Sequence, residues 1–512
     1  MSVLQGLGRA CQINANGTAT LDGGRRRTWS EFRERVARFA GALRATGVRP
    51  GDRVAILALN GDAYLEYFYA VPWAGALVVP LNIRLAPPEL TAILNDAGAV
   101  ALVVDDAFAA MLPALLPNLQ SVTRVFVSGE GAAPAGATSL GAAIDAAQPI
   151  EQADFAGDDV YGIFYTGGTT AASKGVMLTH GNVVANQMNM LAEVPFGRQT
   201  VYLHAAPMFH LADCAATFSV TASAGAHAFV PRFDPVPVMR EIQTRRVTHT
   251  IMVPSMINML VNAPTIGEYD LSTLQLILYG GSPISDAVLR RAMEALPKTG
   301  FLQAYGMTEL APVATFLSTT FHVTDGPLAG KLRSGGRAAV TAEIRIVDDD
   351  DREVPRGTVG QIAVRGPIVM KGYWNQPKLT ADTLRGGWMH TGDGGYMDDD
   401  GFVFVVDRIK DMMITGGENV YSAEVENAIY QHPAVAMCAV IGVPDERWGE
   451  RVHAVVSVKP GRAVTEAELV AHCRTLIAAY KCPRTVSVRS DPLPLSGAGK
   501  VLKTVLRKEL AV

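Results

Sequence analysis

Between residues 28 and 105 the apolar positions alternate between two periods. Over 29–46, Phe32, Val36, Phe39 and Leu43 recur at spacings of three and four with arginines between them, which predicts an amphipathic helix. Pro50-Gly51 then marks a turn, and the apolar run within 52–57 reads as a buried strand. A helix over 63–74, a strand over 76–79, a helix over 87–97 and a strand over 99–105 continue the βα alternation of a parallel sheet with helices on both faces. From 107 to 157 the chain turns to Ala, Gly and Pro, which predicts a surface excursion. Val160, Tyr161, Ile163 and Phe164 form the next strand-like run, and a helix is expected to start near Thr179 to Asn182. Further βα units follow: a strand over 250–253, a helix over 255–261, a strand over 274–279 and a turn at Gly280-Gly281-Ser282-Pro283.

Beyond Arg333 the pattern shortens to strands over 343–347, 361–364 and 402–405, a small β-rich subdomain. The acidic runs 348–351 and 398–400 read as solvated hairpin turns rather than metal ligands. A boundary is expected at Arg408 to Asp411. After it come a helix (422–431), two strands (435–442 and 452–458), a helix (465–479) and a last pairing near Ser487, a unit of about one hundred residues. The predicted class is α/β: a large N-terminal domain (1–408) of parallel-sheet βα subdomains plus the β-rich subdomain, and a small α+β C-terminal domain (409–512).

Composition narrows the function. The 512 residues are too many for one core, and 49% hydrophobic with 18% charged residues is a globular composition. A net charge of -4 without a basic run argues against a nucleic-acid partner. The beginning of the chain lacks a basic-then-apolar signal pattern, and no apolar run reaches the ~18 to 20 residues of a membrane span, so the cytoplasm is the expected compartment. Cys11, Cys214, Cys438, Cys473 and Cys482 are scattered without C-x-x-C pairs and read as reduced thiols.

The chemistry concentrates in Tyr165-Thr166-Gly167-Gly168-Thr169-Thr170-Ala171-Ala172-Ser173-Lys174-Gly175. Its glycines free the backbone to wrap an anion, its threonines add donors, and Lys174 adds charge, so a strand-to-helix phosphate loop is expected. It is not a Walker A loop, because Gly168 is not followed after four residues by Gly-Lys-Ser/Thr. Alone, such a run reads equally well as a surface loop. It has company, in order: Tyr305-Gly306-Met307-Thr308-Glu309, Gly387-Trp388-Met389-His390-Thr391-Gly392-Asp393, Asp407-Arg408-Ile409-Lys410-Asp411 and Pro494-Leu495-Ser496-Gly497-Ala498-Gly499-Lys500. From about Thr28 onward the chain thereby resembles the adenylate-forming superfamily of acyl-CoA synthetases, adenylation domains and luciferases.

The resemblance implies ATP, Mg²⁺ and coenzyme A as cofactors and gives each motif a role. Thr166, Gly167, Gly168, Thr169, Thr170 and Lys174 would hold the β- and γ-phosphates. Gly167, Ala171 and Ser173 replace the serine, glycine and proline of the commoner form of this loop, which should raise KM for ATP. Glu309 would bind Mg²⁺ and Thr308 the α-phosphate. Tyr305, Gly281, Ser282 and Pro283 would border the adenine, and Asp393 would accept from the ribose hydroxyls with help from Arg408. Lys500 would reach the substrate carboxylate and α-phosphate, Gly416 and Gly417 would line the pantetheine route, with Trp448-Gly449-Glu450 at the closing interface, and Lys410 would be the hinge of a mobile small domain. His210, Asp213, Met252, Val253, Tyr279, Gly280, Gly306, Met307 and Val313 would line the acid pocket.

The activity so implied is an AMP-forming carboxylic acid:CoA ligase acting on a fatty or aryl acid. The alternatives are a free-standing adenylation enzyme that loads a carrier protein and a non-catalytic nucleotide-binding homologue. Amino-acid activation is disfavoured because Phe209-His210-Leu211-Ala212-Asp213 lacks the Phe-Asp opening that binds an α-amino group. Expected partners are the small-molecule acid and CoA, with a homodimer admitted, and a lysine acetyltransferase and deacetylase acting on Lys500.

Overall fold

The computed structural model describes residues 1–131, 133–166, 173–409, 411–415, 418–445, 447–496 and 499–510. The expectations placed on Gly167, Gly168, Thr169, Thr170, Ala171, Lys410, Gly416 and Gly417 lie outside the described residues.

Two largely parallel sheets dominate the chain up to Ala338. In one, Arg53–Leu57 pairs in parallel with both Leu77–Pro80 and Ala99–Asp105, and the Val54, Ala55, Ile56 and Leu57 side chains are all buried. An unbroken apolar strand is what burial on both faces demands. In the other, Thr18–Asp22, Ala226–Phe229, Val201–His204, His249–Met252, Leu276–Gly280 and Gly300–Gly306 run parallel, and Val313–Leu317 closes on the last of them antiparallel. The helices Trp29–Ala45, Asp62–Trp73 and Leu211–Ala222 lie between the sheets, with Trp29, Phe32, Val36, Phe39, Phe68 and Phe218 in a core shared with residues of both. Thr28 caps the first of these helices in a reciprocal capping box with Glu31.

Two expectations need correction. Within 107–157 the chain re-enters the sheet: Arg124–Ser128 pairs in parallel with Ala99–Asp105 and buries Val125, Phe126 and Val127. The Ala/Gly/Pro composition around this short run masked it. The loop before Lys174 does not connect strand to helix. Val160–Thr166 pairs antiparallel with Lys174–Thr179, and only then does helix His180–Glu193 begin, with Thr179 as its cap. Lys174 therefore opens a strand rather than a helix.

The β-rich part is the antiparallel sheet Glu343–Val347, Gly360–Arg365, Trp388–Met397 and Leu384–Arg385, with Val403–Arg408 paired to Trp388–Met397. The acidic runs sit at its hairpin turns, where Asp348 Oδ1 accepts from the backbones of Asp350 and Arg352, and Asp398 Oδ1 from those of Asp400 and Phe402. From Met413 onward a separate sheet, built on Val435–Asp445 and Gly449–Val458, packs on helices Ser422–Tyr430 and Glu466–Arg474 around its own core. No described helix is long and apolar enough to cross a membrane.

Candidate active site

The carboxyl ends of Val201–His204, His249–Met252, Leu276–Gly280 and Gly300–Gly306 point the same way. Such ends are where open α/β sheets take their ligands, and His210, Val253, Gly281 to Pro283 and Met307 to Glu309 follow just beyond them. Glu309 lies in the short helical turn Thr308–Leu310 and is only 6% exposed. Its Oε1 accepts from Tyr373 Oη at 2.8 Å, and Lys174 Nζ stands 5.5 Å from the centre of the same Tyr373 ring. One phenol thus ties the carboxylate to the loop lysine. Thr166 is the register partner of Lys174 across the hairpin.

A second group forms where Trp388–Met397 and Val403–Arg408 place Asp393 opposite Arg408. Arg408 Nε lies 2.6 Å from Asp393 Oδ1, and Tyr305 Oη donates to Oδ2 at 2.8 Å. Asp393 is 5% exposed, whereas Arg408 keeps 40% of its side-chain surface open. With one donor on each oxygen, the carboxylate retains lone pairs for a vicinal pair of hydroxyls. Burial, and then Asp393, pushes the Tyr305 phenol well above its ordinary value, so it remains a donor.

Lys500 enters this cleft from the last segment. Its Cε would lie 3.7 Å from a Cβ built on Gly281, an ordinary contact that brings the lysine stem against this turn, where φ of +81° favours glycine. The residue as a whole keeps open surface while protein crowds its ammonium. Burial lowers its pKa and Arg408 adds to that, against the pull of Asp393 and Glu309. The loop is gripped from two sides: Arg84 Nη1 donates to the Ser496 carbonyl at 2.7 Å, and Ser255 Oγ to the Gly499 carbonyl at 3.2 Å. His210, the N-cap of helix Leu211–Ala222, is pushed down to about 4 by burial and then by the charges of Lys500 and Arg84, so a neutral imidazole faces the cleft.

The remaining pocket residues divide. Met252, Val253, Tyr279 and Val313 share one apolar cluster, with Tyr279 Oη 2.8 Å from His322 Nε2. Met307 packs instead on the core of the β-rich sheet with Leu310 and Met389. Gly280 and Gly306 are explained by backbone approach, since a Cβ would overlap the Ala304 carbonyl oxygen at the first and the Pro312 carbonyl oxygen at the second. Ser282 and Pro283 lie in the open turn after Leu276–Gly280. Asp213 corrects the expectation: it has no exposed surface, and its carboxylate is taken up by Tyr202 and His204 inside the sheet–helix interface rather than facing an acid. Tyr373, Arg84 and Ser255 went unnoticed in the sequence. Tyr373 is 64 positions from Glu309 and Arg84 is 412 from Ser496, separations that carry no spacing signal.

The AMP-binding enzyme family matches residues 7–374, and the AMP-binding enzyme C-terminal domain matches 424–500. The chain is 42% identical over 509 residues to a feruloyl-CoA synthase of an Amycolatopsis species, covering 98% of this chain and 99% of that one. It is 35% identical to a fatty acid–[acyl-carrier-protein] ligase of Streptomyces coeruleorubidus, over 96% of this chain and 92% of the other. Among solved structures, an anthranilate CoA ligase in complex with anthranoyl-AMP superposes with a TM-score of 0.92 at 26% identity, covering 100% of this chain and 98% of that one. With two family matches in tandem and full-length relatives of this closeness, the chain belongs to the AMP-binding enzymes, as an adenylate-forming enzyme of the acyl-CoA synthetase type.

Proposed function

We propose that this AMP-forming carboxylic acid:CoA ligase acts on an aryl or fatty acid and runs both half-reactions in the cleft around Lys500. What carries the reading is the convergence there of Lys500 with Asp393, Arg408 and Glu309, each close enough for its charge to act on the lysine. In the first step a carboxylate oxygen bonds to the α-phosphorus of ATP and the bond to the bridging oxygen of pyrophosphate breaks. In the second the CoA sulfur bonds to the acyl carbon, its proton goes to solvent, and AMP leaves with the former carboxylate oxygen. The acid is already a nucleophile, so the protein's task is positioning and charge stabilisation.

Lys174 and Thr166 take the phosphate end, Asp393 with Arg408 the ribose, Tyr305 and Gly281 to Pro283 the adenine side, and Lys500 the developing charge at the α-phosphate. Mg²⁺ fits Glu309: the site offers one buried carboxylate, and Mg²⁺ takes one or two carboxylates with phosphate oxygens and water completing its shell. Bound there, the ion would offset phosphate charge. We place the division between the two moving parts at Arg408 to Asp411, with Lys410 as the hinge between half-reactions, and the cytoplasm as the compartment.

The apolar cluster of Met252, Val253 and Val313 and the likeness to a feruloyl-CoA synthase support an aryl acid. The likeness to an acyl-carrier-protein ligase supports a second reading, transfer to a carrier thiol. Acid-dependent AMP release over a panel of hydroxycinnamic, benzoic and fatty acids, with CoA, pantetheine and holo-carrier protein in parallel, tests both. Turnover with carrier and none with CoA would replace the first reading by the second. No AMP release with any acid would remove both.

A further inference from the structure

Asp213, excluded from the pocket wall, ends a chain of hydrogen bonds that runs through the middle of the molecule. Tyr202 Oη donates to Oδ1 at 3.2 Å, and Oδ2 lies 2.5 Å from His204 Nδ1. His204 Nε2 is 3.0 Å from His227 Nδ1, and His227 Nε2 is 3.1 Å from Thr221 Oγ1. Asp213, His204, His227, Thr221 and Tyr202 are all fully buried. One assignment fills every position: Thr221 donates to His227, His227 to His204, and His204 and Tyr202 to the carboxylate. The His204 ring is also stacked on Phe229, 4.9 Å away and 9° from parallel.

These bonds fasten two points of helix Leu211–Ala222, its first turn at Asp213 and its last at Thr221, to strands Val201–His204 and Ala226–Phe229. His210 caps that helix. The connection 205–210 is held at its other end by Asn60, whose Nδ2 donates to the carbonyls of His204 at 3.1 Å and Ala206 at 2.9 Å and whose Oδ1 accepts from Met208 N at 2.8 Å. His210 is therefore the end of a segment clamped on both sides.

We propose that Asp213 is a positioning residue for acid binding: by anchoring the first turn of this helix to the sheet, it fixes where His210 stands in the cleft. This rests on the reading of the cleft beside Lys500 as the acid site. Removing the carboxylate leaves the buried Tyr202 hydroxyl and His204 N–H competing for one acceptor, and the first turn relaxes to accommodate them. A displacement of about 1 Å at a substrate-positioning group is enough to weaken productive binding by one to two orders of magnitude.

The test is acid-dependent pyrophosphate exchange with the best acid of the panel, measuring KM for acid and for ATP separately in wild type, Asp213→Asn and Thr221→Val. Asp213→Asn should raise KM for the acid about 10- to 30-fold and leave KM for ATP within about 2-fold; Thr221→Val, which removes only the far donor, should raise KM for the acid about 3-fold. If activity instead falls in proportion to folded protein, with KM for the acid unchanged, Asp213 is merely structural and the proposal is overturned. Should Asp213→Asn not fold, the same split in Thr221→Val decides. Wild-type enzyme without exchange on any acid would overturn the proposed function itself, and this inference with it.

Discussion

Replacing Lys500 by alanine should separate the two half-reactions. Its loop is gripped by Arg84 and Ser255 through the Ser496 and Gly499 carbonyls, bonds the substitution leaves in place, so the variant should dock as wild type does. What it loses is an ammonium repelled by the charge of Arg408 and drawn by those of Asp393 and Glu309. Without ATP this lysine is poorly balanced, since burial and Arg408 both lower its pKa. A triphosphate in the cleft supplies the missing negative charge, and more of it as charge develops in the transition state. One such contact is worth about 3 to 4 kcal/mol, so adenylation should fall by about 10² to 10³. Formation of the thioester from synthetic acyl-adenylate and CoA should stay within about 3-fold, because that step moves charge at the acyl carbon instead. The assay is pyrophosphate exchange beside thioester release from the preformed adenylate. Acetylation of Lys500 deletes the same charge and should reproduce the alanine variant, with recovery on deacetylation. Equal loss in both halves would show that the lysine supports the fold or both steps, and would sink the switch as well.

Glu309→Gln should lower adenylation about 10²-fold with a weaker response to Mg²⁺; wild-type turnover at every Mg²⁺ concentration would take the residue out of the metal role. Lys410→Pro should spare adenylate formation and slow thioester release, since proline restricts φ at the hinge; half-reactions that fall together, or not at all, would count against the hinge. Gly306→Ala should yield little folded protein, as its Cβ would overlap the Pro312 carbonyl oxygen; a soluble variant with an unchanged melting temperature contradicts that packing. His210, His249 and His322 are held near 4, below the ordinary 6.5, chiefly by burial. Between those values the unfolded chain binds protons that the folded one does not. Stability should thus be full above about pH 6.5 and decline toward pH 4, by up to about 3 kcal/mol per histidine. Urea midpoints against pH should flatten measurably in His322→Gln; an identical slope would refute the assignment.

Much of the fold was legible because its signals are local. Apolar runs such as Ala99–Asp105 and the three-and-four spacing of Phe32, Val36, Phe39 and Leu43 in Trp29–Ala45 state their own structure. The strand Arg124–Ser128 was not legible, because its burial is decided by a neighbour, Ala99–Asp105, and the flanking composition says only loop. The antiparallel pairing of Val160–Thr166 with Lys174–Thr179 was missed for a related reason: which partner the second strand finds is settled across the sheet.

The site divides along the same line. Motif residues that act as blocks, such as Tyr305 to Glu309, come to the cleft because a strand end and its following turn travel together. Tyr373 and Arg84 come by packing, so only the folded chain reveals that one phenol holds Glu309 and one guanidinium holds the Lys500 loop. Asp213 shows the opposite error. It stands three positions after His210, near enough to suggest a common pocket, but His210 is a cap with extended backbone (φ -95°, ψ 132°) while Asp213 already lies inside the helix. The bend at the cap sends one side chain to the cleft and the other to Tyr202 and His204. Proximity in sequence was mistaken for a shared surface. The same bend is why a carboxylate that never meets the substrate can still decide where the neighbouring imidazole stands.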